Sequence, residues 1–309
     1  MKYSTRQALG PLYPVLIKVK GSAPMVLAKG LAGAIPYLRE QRRAPQPVVD
    51  LTARVGMGAL LCHALLLHAW FDQQGGQGRV KATSPFYSAG EEDVFARYFV
   101  RPPTAGLPVL SNSAAEFLIS CRRPGHIPLA EAQRLFAEHF RPAPILADAI
   151  AAATDCPQFD LSIHYRGTDK FLESGRVAME PMFSAIRKAL GGRTTARVFL
   201  ATDEAEFAAA LRRELPGLEF TSYDLGEVAP GVPRVFSDQT PDEKALESLV
   251  NIFLIARAPV CVRTSSYLSA VSALANPELR TITINQTLSR DLPFPERELL
   301  EREQQRARG

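Results

Sequence analysis

A cluster of ionisable side chains follows a short apolar segment near the middle of the chain. His164, Arg166, Asp169 and Lys170 fall within seven positions, directly after a β-strand predicted over residues 158–164. An arginine can hold a phosphate through two hydrogen bonds, and a lysine adds a second positive charge. Open α/β sheets bind ligands just beyond the carboxyl ends of their strands, so this turn is a candidate ligand site. The alternative is a solvated turn whose charges pair with one another.

A second polar turn follows the next predicted strand. Asp203 and Glu204 lie after a strand over residues 197–202, where a carboxylate can accept hydrogen bonds from guanine, a ribose or an arginine. Asp203 is also predicted to cap the helix over residues 205–215. The two roles are compatible.

A third turn joins a strand over residues 259–263 to a helix over residues 266–275. It consists of Thr264, Ser265 and Ser266. Hydroxyl and N–H groups at a helix N-terminus suit a diphosphate. Ser265 is predicted to cap the helix, which is compatible with phosphate binding.

The N-terminal part contains one glycine pair that could border a ligand. Gly56 and Gly58 separate a strand over residues 47–52 from an apolar helix over residues 59–70. Glycines let backbone N–H groups approach an anion or a sugar. The third glycine and the ribose-binding acid of a dinucleotide site are missing, which disfavours a dehydrogenase.

Strands and helices alternate regularly in the C-terminal part, which implies a parallel sheet covered by helices on both faces. Further helices are predicted over residues 129–140, 147–153, 182–190 and 243–258, and further strands over residues 218–223 and 280–284. Residues 79–128 show no informative pattern. We expect a basic arm over residues 1–47, an N-terminal domain over residues 48–141 and a C-terminal domain over residues 142–309, and the charged tail from residue 296 is expected to be solvated or frayed.

Cysteine and histidine residues form no metal-binding pattern. The cysteines are Cys62, Cys121, Cys156 and Cys261, with no Cys-x-x-Cys pair among them. His63 and His68 lie on the apolar helix and are predicted to be core or interface residues. We therefore expect no metal, and reduced thiols in a cytoplasmic protein.

The charge of the chain is concentrated at its N-terminus. Of 309 residues, the first 49 hold eight lysines and arginines against one acid, a net charge of +7, so the remainder carries −3 of the total of +4. A negative remainder disfavours a nucleic-acid-binding module. Charges and prolines interrupt the apolar stretches before residue 39, which excludes a membrane span and disfavours a signal peptide. This arm is expected either to touch an anionic membrane surface or to pack on the protein with its lysines in water.

Three stretches resemble the motifs of a known family. Residues 163–170 resemble the His-x-Arg-Arg-Thr/Gly-Asp-Lys turn of the α1,6-fucosyltransferases, including the rhizobial nodulation type, with relatives among the α1,2- and protein O-fucosyltransferases. Residues 201–204 resemble their Ala-Thr-Asp-Asp segment, and residues 245–266 their helix, strand and serine-rich turn. The resemblance covers about residues 142 to 285. It implies a GT-B-like α/β fold with two Rossmann-like halves and the nucleotide-sugar site in the C-terminal half.

The chain departs from the family pattern at three positions. Gly167 stands where many members carry a second arginine, and Glu204 replaces the second Asp of its motif. Asn251 stands where members carry an Asp that faces the nucleotide. Half of the phosphate clamp must therefore be absent or come from elsewhere. Asn251 can still hydrogen-bond guanine but brings no charge to it.

The resemblance implies an inverting, metal-independent transfer of fucose from GDP-fucose to a glycan or glycolipid, as in polysaccharide biosynthesis, with no cofactor. Arg166 and the serine turn would stabilise the departing GDP, and Glu173 or, second, Asp169 would act as the base. The remaining substrate-binding candidates are His164, Lys170, Asp203, Glu204, Asn251, Thr264, Ser265, Ser266, Gly56 and Gly58. The alternatives are another nucleotide-sugar donor and a GT-B-like module that binds a glycan or nucleotide sugar without turnover.

Overall fold

The computed structural model describes residues 23–43, 46–75, 78–167, 177–225 and 236–308. Three site candidates, Asp169, Lys170 and Glu173, lie outside the described residues, as does most of the N-terminal arm. Within the described part, no helix is long and apolar enough to cross a membrane.

The N-terminal part is mostly helical and contains a small parallel sheet. Its elements in chain order are α1 (Ala23–Arg43), β1 (Val48–Leu51), α2 (Met57–Gln73), β2 (Arg79–Ala82), α3 (Val94–Tyr98), α4 (Asn112–Phe117), a π-helical turn (Leu118–Arg122) and α5 (Leu129–His139). β1 pairs in parallel with β2 and, through Val48, forms an isolated parallel bridge to Val109. The apolar composition of α2 is explained by its position, because almost all of its side chains are buried.

The C-terminal part alternates strands and helices as predicted. Its elements are α6 (Pro144–Ala152), β3 (Leu161–Tyr165), α7 (Met179–Leu190), β4 (Ala196–Thr202), α8 (Ala205–Glu214), β5 (Leu218–Thr221), α9 (Pro241–Ile255), β6 (Val260–Arg263), α10 (Tyr267–Ala275), β7 (Arg280–Thr283) and α11 (Glu296–Arg308). The five strands form one parallel sheet in the order β5-β4-β3-β6-β7. From β3 the chain adds β4 and then β5 on one side. It then crosses back and adds β6 and β7 on the other side of β3. Ligands of such sheets bind at this switch point.

The sheet is packed on both faces. All five residues of the central strand β3 are buried. One apolar cluster covers one face with α7 and α8, whereas the other face joins α9 and α10 to α2 in a core shared with the N-terminal part. The predicted domain boundary near residue 142 stays a prediction.

Four helices, α2, α6, α7 and α9, begin earlier than predicted, and two of them begin at a proline. α6 begins at Pro144 rather than near residue 147, because proline is well suited to the first helical turn. α9 begins at Pro241, where Thr240 and Glu243 form a reciprocal capping box.

The two ends of the chain pack on the protein where the structure describes them. In α1, Gly33 packs against α4, and the Tyr37 ring lies 5.4 Å from that of Phe117. The C-terminal helix α11 is not simply solvated, because Leu299 and Leu300 are buried. Both helices therefore belong to the folded body.

Candidate functional site

A cavity of about 250 Å³ lies between the two parts of the molecule, at the carboxyl ends of the strands of the larger sheet. It brings together seven of the predicted residues: Gly56, Gly58, His164, Arg166, Asp203, Asn251 and Ser266. They come from five separate stretches of sequence, and four of them follow or end β3, β4 or β6. The expected convergence at the switch point is thus present.

The ends of β3 and β6 are joined by Thr264. Its backbone N–H donates to the carbonyl of His164 at 2.9 Å, and its hydroxyl accepts from the N–H of Arg166, also at 2.9 Å. Thr264 therefore fixes the backbone that presents Arg166, and it does not line the cavity. Its contact with a ligand stays a prediction.

Asp203 does not cap α8 as predicted. The N-cap of α8 is Glu204, whose side chain makes no capping hydrogen bond. Oδ1 of Asp203 instead accepts a hydrogen bond from the N–H of Gly167 at 3.2 Å. This bond joins the turn after β4 to the turn after β3. The helix begins at Ala205 as predicted, so its N-cap is Glu204 and Asp203 stands one residue before the cap.

Gly167 marks the main departure from the fucosyltransferase pattern. A Cβ atom at this position would collide with the carboxylate of Glu204. The space where many family members begin a second arginine side chain is therefore occupied by an acid. Glu204 does not line the cavity.

The serine turn begins α10 one residue later than predicted. Ser266, with extended backbone angles, is the N-cap, and its hydroxyl accepts from the N–H of Leu268 at 3.4 Å. Ser265 is not the cap, and its N–H donates to Oδ1 of Asn285 at 2.7 Å. The cavity is lined by Ser266, Tyr267 and Leu268, the first residues of the helix.

Asn251 reaches the cavity from α9, and both of its N–H groups are used within the protein. Nδ2 donates to the carbonyl of Tyr223 at 3.0 Å and to the carbonyl of Glu247 at 2.8 Å. Asn251 can therefore offer a ligand only its carbonyl oxygen, which is an acceptor.

The opposite wall is the start of α2. The N–H of Met57 donates to the hydroxyl of Tyr87 at 2.9 Å. Burial raises the pKa of Tyr87, partly offset by this hydrogen bond and by the nearby charge of Arg166. A Cβ atom on Gly58 would lie 2.6 Å from the carbonyl carbon of Tyr267, so this glycine permits α2 to meet the start of α10.

Sequence reasoning missed several groups on the cavity wall. They are Arg54, Phe86, Tyr87, Asp224, Phe236, Gln239, Lys244, Glu247 and Ser248. Phe86 and Phe236 pack edge to face, with centroids 5.5 Å apart. Most of these residues come from segments without periodicity or from polar faces of helices, so no local signal identifies them.

Three basic residues line the described cavity: Arg54, Arg166 and Lys244. Burial lowers the pKa of Lys244, and a bound anion would favour its charged form. Oε2 of Glu247 accepts from the backbone N–H of Leu225 at 2.9 Å and from the side-chain Nε2 of Gln239 at 2.8 Å. The described residues contain no group of three or more potential metal ligands among His, Cys, Asp and Glu side chains.

Comparison with known proteins identifies this architecture. No protein-family model and no curated protein sequence matches the chain. A crystal structure of fucosyltransferase NodZ from Bradyrhizobium matches 81% of this chain and 97% of its own, with a TM-score of 0.52 at 17% sequence identity. A second crystal structure of that protein matches 78% and 96%, with a TM-score of 0.51 at 16% identity. The chain has the fold of a fucosyltransferase.

The GT-B-like fucosyltransferase fold inferred from the motifs is therefore confirmed. In this fold, the cavity lies at the carboxyl ends of the larger sheet and is closed on its other side by the start of α2. At 16–17% identity the likeness concerns the fold, and the chemistry has to be argued from the cavity itself.

Proposed function

We propose that this chain is an inverting glycosyltransferase that moves fucose from GDP-fucose to a hydroxyl group of a glycan or glycolipid. The observation that carries the proposal is the convergence of Arg166, Asn251 and the start of α10 on one cavity in a fucosyltransferase fold. The sequence motifs around these residues support fucose and guanosine as the two ends of the donor.

The donor diphosphate would bind at the start of α10. The helix begins at Tyr267, and its N-terminal N–H groups and dipole favour an anion. Arg166 would hold the same diphosphate from the end of β3, with Lys244 or Arg54 supplying the charge that a second arginine gives in the family. Asn251 would accept a hydrogen bond from an N–H of the base.

The reaction needs no metal in this scheme. As the bond between fucose C1 and the β-phosphate oxygen breaks, negative charge develops on GDP and is stabilised by Arg166 and the start of α10. The acceptor oxygen bonds to C1 from the opposite face, and its proton passes to a carboxylate. Glu173 is the proposed base and Asp169 the second candidate, whereas Asp203 and Glu247 already accept hydrogen bonds from the backbone.

Calorimetry with GDP, UDP and ADP tests the donor. We expect GDP to bind at least about tenfold more tightly than UDP, a difference of about 1.4 kcal/mol. Transfer from GDP-fucose, or its slow hydrolysis in the absence of acceptor, should follow and should be unchanged by excess EDTA. Equal or tighter binding of UDP would overturn the donor assignment and favour another nucleotide sugar.

A non-catalytic binding module is the second candidate, and the departures at Gly167 and Asn251 favour it. Such a module would bind GDP-fucose or a glycan but neither transfer nor hydrolyse the sugar. Turnover of GDP-fucose by the wild-type protein separates the two functions. In an enzyme, Glu173→Gln should abolish that turnover while leaving GDP affinity within about threefold of wild type.

We also propose that the protein contacts the cytoplasmic surface of a membrane through α1. Ile35 is 76% exposed and Leu38 53% exposed, and with Arg39 and Arg42 they form one face of the helix. The carboxylate of Glu40 is turned inward, since it accepts from the N–H of Ser111 at 2.8 Å. The outer face thus combines apolar and basic side chains, which suits anionic lipid.

Vesicle sedimentation tests this contact. We expect binding to anionic but not neutral vesicles at low salt, and release by about 0.5 M salt. Arg39→Gln with Arg42→Gln should abolish binding, whereas Arg212→Gln with Arg213→Gln, an exposed pair on α8, should not. Failure to bind anionic vesicles would leave α1 as a packing element.

A further inference from the structure

We infer that Arg263 and Glu296 form a buried positioning pair that holds the start of α10 in the geometry needed to bind the donor diphosphate. The inference rests on the proposed function, and it assigns a role to the C-terminal helix α11, which supplies Glu296. Neither residue lines the cavity, so the pair acts through the backbone that does.

Arg263 is the last residue of β6 and lies directly beneath the serine turn. Its side chain is completely buried, with 0% exposure. Nη2 donates to the carbonyl of Ser266 at 3.0 Å, and Nε donates to the hydroxyl of Ser269 at 2.9 Å. One guanidinium therefore holds both the N-cap residue and the first turn of α10, which the diphosphate would contact.

Glu296 provides the opposite charge that this buried arginine needs. The carboxylate forms an ion pair and hydrogen bond with Nη2 of Arg263, and its side chain is only 4% exposed. Complete burial favours loss of the arginine's proton. The charge and the hydrogen bond of Glu296, together with smaller contributions from Cys261 and Glu303, outweigh this effect and raise the pKa of Arg263 above its ordinary value. Arg263 stays charged, so its position depends on the carboxylate.

α11 is held to the sheet by separate contacts as well. Arg302 donates to the carbonyls of Pro277 at 3.1 Å and Leu279 at 2.9 Å. Glu303 accepts from the N–H of Thr283 at 3.1 Å. These contacts allow loosening of the helix to be distinguished from loss of the pair.

Three variants test separately the length of the Glu296 side chain, its charge and the attachment of α11 to the sheet. Glu296→Asp keeps the charge on a side chain that is one methylene shorter. Glu296→Gln keeps the length and an acceptor oxygen but loses the charge. Arg302→Gln weakens the attachment of α11 without touching Arg263. For each folded variant, GDP affinity is measured by calorimetry and hydrogen exchange at the N–H groups of Ser266, Tyr267 and Leu268 by mass spectrometry.

A positioning role predicts that Glu296→Asp weakens GDP binding at least about tenfold and speeds exchange at those N–H groups. Glu296→Gln should weaken GDP binding at least about threefold, because the buried guanidinium then lacks its opposite charge, and Arg302→Gln should leave the affinity unchanged. Wild-type affinity in folded Glu296→Asp, or an equal loss in Arg302→Gln, would overturn the inference. Tighter binding in Glu296→Gln would also overturn it, because Glu296 would then act by opposing the phosphate charge. If wild-type protein binds no GDP, the donor proposal fails first, and this inference fails with it.

Discussion

The two walls of the cavity hold their polar groups in different ways. On the C-terminal wall, Arg166 and Ser266 follow adjacent parallel strands, and main-chain hydrogen bonds across β3 and β6 fix their spacing. On the N-terminal wall, the start of α2 is held by the hydroxyl of Tyr87, thirty residues further along the chain. One wall is organised by the sheet, whereas the other depends on single long-range contacts.

We therefore expect the C-terminal wall to carry the chemistry and the N-terminal wall to have a structural role. The strand ends carry the groups that we expect to meet the donor, because parallel strands bring their carboxyl ends to one edge. The N-terminal wall contributes close backbone approach and aromatic surface. Substitutions on the first wall should therefore reduce catalysis most, and substitutions on the second should act through stability and position.

The largest effect is expected for Arg166→Lys, on the C-terminal wall. Lysine keeps the charge but loses the fork that can donate two hydrogen bonds to a phosphate. We expect kcat/KM to fall at least about 100-fold, since one donor aimed at developing charge contributes about 2.7–4 kcal/mol. Steady-state kinetics with GDP-fucose measures the loss.

Arg193→Lys is the matched control for this prediction. Arg193 pairs with Asp160 at 2.9 Å, at the opposite end of β3, and its side chain is half exposed. Its substitution should leave kcat/KM within about twofold, because exposed ion pairs contribute little. Equal activity of the two variants would remove Arg166 from the active site.

Asn251→Asp tests how far the family pattern can be transferred to this chain. The resemblance implies that an acid here would strengthen nucleotide binding. The contacts imply the reverse, because Asp would place an oxygen against the carbonyls of Tyr223 and Glu247, where Nδ2 now donates. We expect a loss of about 1–3 kcal/mol in stability and weaker GDP binding.

Asn276→Asp is the control for Asn251→Asp. Asn276 donates to one carbonyl, that of Ala256, at 2.8 Å, and lies outside the cavity. Thermal unfolding should show a smaller loss, and GDP affinity should be unchanged. Tighter GDP binding by Asn251→Asp would favour the family pattern over the hydrogen-bond argument.

The sequence predicted the C-terminal wall better than the N-terminal wall, for a physical reason. Strand ends and helix starts are local patterns, so Arg166, Asp203 and Ser266 could be placed at one sheet edge from their order alone. The predicted N-caps of α8 and α10 were each wrong by one residue. Asp203 accepts instead from the N–H of Gly167, and the N–H of Ser265 donates to Asn285, so both residues bond to distant segments of the chain. Local patterns do not encode such contacts.

The N-terminal wall shows the same limit more strongly. Gly56 and Gly58 were found by their spacing, but the reason for Gly58 lies in the backbone of Tyr267, more than two hundred residues away. Tyr87 lies in a segment without periodicity, and only the folded chain brings its hydroxyl to the N–H of Met57. Long-range packing, rather than motif chemistry, determines this wall.

Gly58→Ala and Gly56→Ala test the N-terminal wall, because only Gly58 lies close to the backbone of another element. A methyl group at Gly58 would lie 2.8 Å from the backbone nitrogen of Leu268, whereas nothing lies within 4 Å of one at Gly56. Alanine gains about 1 kcal/mol of helix propensity at Gly58, but overpacking against fixed backbone costs about 1–3 kcal/mol. We expect a net loss of about 1 kcal/mol and a shift of the start of α10.

Calorimetry should therefore show GDP affinity reduced by about three- to tenfold in Gly58→Ala, or about 0.6–1.4 kcal/mol. Gly56→Ala should bind GDP like wild type and lose at most about 1 kcal/mol of stability at the start of α2. If both alanine variants behaved alike, close approach of α2 to α10 would not explain Gly58.

The smallest effect concerns two stacked histidines in the N-terminal part, of which His68 was predicted to be a core or interface residue. The rings of His68 and His139 stack with centroids 3.7 Å apart, and Nη2 of Arg101 lies 3.4 Å from Nε2 of His68. Burial lowers the pKa of His68 well below 6.5, and His139 and Arg101 lower it further. Burial also lowers the pKa of His139, and the nearby charge of Glu138 partly offsets this decrease.

His68 is therefore neutral in the folded protein at a pH where the unfolded chain binds a proton. As pH falls below about 6.5, unfolding takes up that proton, and stability declines by up to about 1.4 kcal/mol per pH unit until the folded pKa is reached. Above pH 6.5 neither state is protonated and the effect vanishes. His68→Phe keeps a ring for stacking but cannot bind a proton, so the decline of Tm between pH 6.5 and 5.5 should be shallower than in wild type. An unchanged slope would show that other groups dominate acid unfolding, whereas loss of fucose transfer at pH 7.5 in a folded variant would contradict the structural role of this histidine.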